Sequence, residues 1–179
     1  MHANRRGRSS GTVVVGITAL VATVAMGASA PARASGAPVG SALRADRTVR
    51  IERTTASICG IGLQARFAGR KNLRTRVISG AWSFSAATTC SFPMPRLDLQ
   101  AGAWLGSKVA GNAPAARCQL CKNVTTSASV RCARCNGTWT IRSHHTILLP
   151  VASLVVLLPS GCRRTATTID CTAVITRRL

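Results

Sequence analysis

The sequence predicts an all-β domain, a two-sheet antiparallel sandwich of Ig-like architecture stabilised by disulfides. Three observations predict it. From Thr48 onward, apolar residues recur mainly at every second position, the period of a strand with one buried face. The runs are rich in Val, Ile, Thr and Trp and are punctuated by Gly, Asn and Pro. Eight cysteines, an even number, follow an export-type N-terminus. Roughly seven short strands with such turns suit a sandwich.

Taken in order, residues 1–34 read as a signal peptide. Arg5, Arg6 and Arg8 form a basic start, Thr12 to Met26 an apolar stretch, and Ala32-Arg33-Ala34 a small-x-small cleavage motif. The earlier Ala28-Ser29-Ala30 is followed by Pro31, which makes that bond a poor peptidase substrate, so cleavage is expected between Ala34 and Ser35. The apolar stretch is shorter than the ~20 residues that span a bilayer, which favours cleavage over a retained anchor. Residues 35–47 carry Gly, Pro and small residues without a sustained period and read as a flexible leader. Residues 48–179 then form the single β-domain.

Within that domain, Val49 and Ile51 alternate with Arg50 and Glu52. Leu73, Thr75 and Val77 oppose Arg74 and Arg76. Trp82, Phe84 and Ala86 follow Gly80, which is read as a bulge or bend. Leu97, Leu99 and Ala101 alternate with Asp98 and Gln100. Trp139 and Ile141 come directly after Asn136-Gly137, a dipeptide suited to a turn with positive φ. Ile169, Cys171, Ala173 and Ile175 close the pattern. The apolar run Ile147 to Leu158 is interrupted by Pro150 and too short to cross a membrane as a helix, so it is expected to be a buried strand pair. Exposed, it would mark a partner or lipid surface.

The cysteines are Cys59, Cys90, Cys118, Cys121, Cys132, Cys135, Cys162 and Cys171. The simplest disulfides for the outer four are Cys59 with Cys90 and Cys162 with Cys171. The inner four spell C-x2-C-x10-C-x2-C and leave several arrangements open. Four thiolates from two knuckles would hold one tetrahedral zinc, although the spacer is shorter than usual and zinc competes with oxidation outside the cell. A hairpin turning at Thr126-Ser127 would instead set Cys118 opposite Cys135 and Cys121 opposite Cys132. Residues three apart point to opposite faces, so those two bridges would differ in geometry. Each C-x2-C can also close on itself, and a redox role for one of them would draw on Lys122 or Arg134. With an export signal present, disulfides are favoured and no cofactor is expected, zinc being the alternative.

The chain has 24 Lys and Arg against 4 Asp and Glu. Loss of residues 1–34 removes Arg5, Arg6, Arg8 and Arg33 and leaves 20 basic against 4 acidic side chains, a formal charge of +16. Such a surplus attracts anionic polymers and cell-envelope surfaces. Asp46, Glu52, Asp98, Asp170, His2, His144 and His145, with no Tyr, are a thin stock for acid–base catalysis, so no enzyme is expected. His144 and His145 are strand neighbours and point to opposite faces, so they do not readily share one metal ion.

With Arg5-Arg6, the apolar stretch, Ala32-Arg33-Ala34 and the paired cysteines from Cys118 to Cys135, the chain resembles the small exported cysteine-containing proteins of unknown function from Gram-positive bacteria. The resemblance implies export and carries over no catalytic or binding residue. The expected function is a secreted or envelope-associated structural or binding module for anionic surfaces or polymers. The alternatives are a zinc-ribbon nucleic-acid binder and a cationic membrane-active protein.

Overall fold

A computed structural model describes residues 36–52 and 57–179; the predicted signal peptide and its Ala34–Ser35 bond lie outside the described residues. The strands in chain order are β1 (Gly36–Glu52), β2 (Ser57–Asn72), β3 (Ile78–Leu105), β4 (Lys108–Asn112), β5 (Ala116–Cys132), β6 (Thr138–Leu148), β7 (Leu154–Leu157), β8 (Cys162–Arg164) and β9 (Thr168–Arg178). They form an all-β, antiparallel arrangement in the order β7-β1-β2-β3-β6-β9-β8, with β4 and β5 on the other edge of β3.

The 28-residue β3 organises the fold. Its first part pairs with β2 from Ile78 to Cys90, and its last part pairs with β6 from Arg96 to Leu105. Between them, Pro93 and Pro95 each lack an N–H, and the pairing with β5 shifts register between Thr89 and Met94. Side-chain parity changes across this bulge. Trp82, Phe84, Ala86, Thr88 and Cys90 face the core before it, whereas Leu97, Leu99, Ala101 and Ala103 do so after it. The sheet therefore curls, and β9 packs over β1 and β2 without pairing with them.

The enclosed core is apolar and aromatic. Phe67 and Trp82 lie 5.3 Å apart and Trp82 and Trp139 6.0 Å apart between ring centroids, at tilted angles that suit aromatic pairs. Gly80 is in register, paired with Gly69, so it is neither a bulge nor a bend. A Cβ on Gly80 would lie 2.6 Å from the Gly69 Cα and 2.9 Å from the Phe67 ring, so the glycine pair makes room for that ring.

Several expectations change. Two separate sheets with Ig-like order are not found, because β3 runs through both halves of one curled sheet. Gly36 to Arg47, read from composition as leader, is the first part of β1 and pairs with β2 from Gly62 to Asn72. Its small residues hide the alternation, in which Val39, Leu43 and Ala45 are half-buried. Leu73 to Val77 is not a strand but the β2–β3 connection, where Asn72 Oδ1 accepts the N–H groups of Arg74 and Thr75 at 3.0 Å each. Thr126-Ser127 is no hairpin turn, since both residues pair with β3 in mid-strand. Of the run Ile147 to Leu158, Ile147 and Leu149 are buried, but Val151, Leu154, Leu157 and Leu158 are exposed once Pro150 has ended β6.

Candidate functional site

All eight cysteines are disulfide-bonded. Cys59 joins Cys90 between β2 and β3, and Cys162 joins Cys171 between β8 and β9; both are directly opposed pairs with Cα atoms 4.0 Å apart. Each C-x2-C closes on itself, as Cys118–Cys121 and Cys132–Cys135. Sulfurs bonded to each other offer no thiolates to zinc. No cluster of His, Cys, Asp or Glu suited to a metal ion is found among the described residues. Cys118 and Cys121 sit in β5 opposite Leu97 and Met94, with Leu120 between them at φ 47° and exposed.

The two histidines do point to opposite faces. His145 is fully buried, with Nδ1 2.8 Å from the Thr88 hydroxyl and Nε2 2.8 Å from the Ser143 hydroxyl. Burial, reinforced by the charge of neighbouring His144, lowers its pKa from 6.5 to about 4. Ser143 beside His145 has the elements of a nucleophile and a base. Ser143 is only 1% exposed, however, so the pair is sealed in the core and holds the halves of the sheet together.

The outward face of β3, β6 and β9 is polar. Asp98 on β3 pairs with Arg96 at 2.9 Å and also with Arg117 of β5. One strand beyond β6, Asp170 accepts hydrogen bonds from Thr146 at 2.6 Å and Thr168 at 3.1 Å, with His144 at 3.7 Å. The same face continues to a cavity of about 460 Å³ lined by Gln100, Gly102, Trp104, Asn112, Arg142, His144 and Thr172 among others. Gly102 sits beside Arg142 on β6 and Asn112 on β4. A Cβ on Gly102 would lie 2.8 Å from Cη2 of Trp104, so only glycine lets the indole lie over this point of the sheet. The Arg142 guanidinium stands over that indole, 5.7 Å from the ring centroid.

The chain matches no protein-family model, no curated protein and no solved structure. The site therefore rests on its own chemistry. A half-buried Trp, an arginine fork, two carboxamides, a hydroxyl and the His144 imidazole are groups that can pack on, hydrogen-bond and ion-pair with a ligand. Reading the sequence singled out neither Trp104 nor Arg142 as site residues. The available signal was parity: Gln100, Gly102 and Trp104 share one face, as do Arg142 and His144, but nothing local says that the two sets are neighbours.

Proposed function

We propose that this protein is a secreted or cell-envelope-associated, non-catalytic binding module for anionic polymers or surfaces. The observation that carries the reading is the charge balance on the outer surface. Asp46 is held by Arg44 and Asp98 by Arg96 and Arg117, while Arg66, Arg70, Arg131, Arg134, Arg177 and Arg178 stand exposed. A rigid sheet carrying such a surplus attracts polyanions, and the attraction weakens with salt. Four disulfides suit an oxidising compartment. Burial of Ser143 and His145 supports a non-catalytic role.

The test is binding of the protein to polygalacturonate and dextran sulfate against neutral dextran as salt is raised. Binding to the anionic polymers alone, falling steeply with salt, is expected. Equal retention on neutral dextran, or none on any polymer, overturns the reading.

A second reading, a cationic membrane-active protein, is favoured by one specific observation. Val151, in the turn after β6, is 84% exposed, and Leu154 and Leu157 of the short edge strand β7 are 60% and 50% exposed, in a segment braced by Arg47 on Ser160 and Arg164 on Ser153. An exposed apolar patch beside arginines suits an anionic lipid surface. Leakage of anionic vesicles, lost in Leu154→Ser/Leu157→Ser, distinguishes this reading from polymer binding.

A further inference from the structure

We infer that the cavity around Trp104 binds one carboxylated sugar residue, a uronic-acid unit of an acidic polysaccharide. This inference rests on the anionic-polymer reading above and names the chemistry of its specific subsite.

Four features of the cavity converge on that ligand. Its volume, about 460 Å³, falls within the ~300–1,000 Å³ typical of small-ligand sites and leaves room for a pyranose with parts of its neighbours. Half-buried Trp104 adds apolar indole surface to the lining, beside Arg142, against which C–H groups of a sugar ring can pack, and the buried Gly102 beneath it keeps the indole down on the sheet. Arg142 supplies a planar fork that takes a carboxylate through two parallel hydrogen bonds, and the indole below helps fix its orientation. Gln100, Asn112 and Thr172 add carboxamide and hydroxyl groups that can both donate to and accept from sugar hydroxyls.

The lining also argues against other anions. Arg142 is the one Lys or Arg among the described residues that line the cavity, with His144 beside it. A polyphosphate or heavily sulfated chain is better served by several cations around each group, whereas one fork beside an aromatic wall matches one carboxylate on one ring. The lining contains no Asp or Glu to repel it; Asp170, outside the lining, accepts hydrogen bonds from Thr146 and Thr168 and lies 3.7 Å from His144.

The experiment titrates the full folded protein with an α-1,4-linked galacturonic acid trimer, with neutral maltotriose and with a short polyphosphate, by calorimetry at one moderate salt concentration. The wild type is expected to bind the uronate trimer and not maltotriose. Trp104→Ala and, independently, Arg142→Lys are each expected to weaken binding at least tenfold, while Arg131→Ala, outside the cavity, changes it less than twofold. Arg142→Lys keeps the charge and loses the planar fork, so it separates geometry from general attraction. Far-UV dichroism verifies that Trp104→Ala is folded, and Gln100→Ala, expected to lose about threefold, replaces it if it is not.

Unchanged uronate affinity in Trp104→Ala and Arg142→Lys overturns the subsite while leaving polyanion binding in place. Tighter binding of polyphosphate, lost in the same two variants, overturns the sugar assignment. Failure of the wild type to bind any of the anions overturns the anionic-polymer reading itself.

Discussion

The imidazole of His145 on β6 and the hydroxyl of Thr88 on β3 meet at 2.8 Å although their strands do not pair at that point: His145 is paired with Leu99, in the other half of β3. This hydrogen bond crosses the core from one half of the curled sheet to the other. With Ser143 on Nε2, both ring nitrogens are satisfied in a region from which water is excluded.

Acid should therefore loosen the fold at this point. Burial, then the charge on His144, holds the His145 pKa at about 4 against 6.5 in the unfolded chain. Above 6.5 both states are neutral and the full stability is present. Below it the unfolded state takes up the proton first, so stability falls as pH drops from about 6.5 to about 4, by up to about 3 kcal/mol. Urea denaturation across that range measures the slope, and His145→Gln, with no group to titrate here, should show a visibly flatter one.

The disulfides should differ in their contribution. Cys59 and Cys90 are 31 residues apart and Cys118 and Cys121 only 3. On the loop-entropy account, closing the first stabilises by about 4 kcal/mol and the second by about 2. Paired alanine substitutions at Cys59/Cys90 should lower the melting temperature more than those at Cys118/Cys121. The reverse order would show that enthalpy or residual structure dominates.

Trp139 and Trp82 are both buried, but only one indole N–H is satisfied. Trp139 Nε1 donates to the Cys135 carbonyl at 2.8 Å, whereas Trp82 Nε1 has no partner among the described residues. Each Trp→Phe change loses similar volume. Trp139→Phe should cost about 1 kcal/mol more, because it orphans a buried carbonyl while Trp82→Phe removes an unsatisfied donor. Chemical denaturation of the two variants checks the difference.

Glycine positions should respond unequally to alanine. At Gly80 an added Cβ meets Gly69 Cα and the Ala68 carbonyl, backbone atoms that cannot step aside; at Gly60 the nearest atom is 3.9 Å away. Gly80→Ala should destabilise by about 1–3 kcal/mol through overpacking. Gly60→Ala should be neutral or slightly stabilising, since alanine loses less freedom on folding. Thermal melts of the pair decide this.

Much of the core was legible in the chain. Val49, Ile51, Trp82, Phe84, Leu97, Leu99, Trp139, Ile141, Ile169 and Ile175 alternate with polar neighbours, and each is buried as its parity demands. The Cys59–Cys90 and Cys162–Cys171 pairs are also the ones that chain order suggests. The alternation misled at Leu73 to Val77, where an Asn72 turn overrides it; it went unread in the first part of β1, where Gly, Ala and Ser give too little hydrophobic contrast, and in β2, where Ile61, Leu63, Ala65 and Phe67 do alternate with Gly62, Gln64 and Arg66. The exposed Leu154 and Leu157 break the rule that an apolar run is buried.

Strand character and inward face were written in the order of residues, because a period of two is a local property of an extended backbone. Neighbourhood was not. That β3 bends at Pro93–Pro95, serves both halves of the sheet and brings Trp104 beside Arg142 depends on pairings between segments tens of residues apart. Those pairings are selected by how well whole faces pack and how many backbone groups find partners, and no short stretch of chain carries that information.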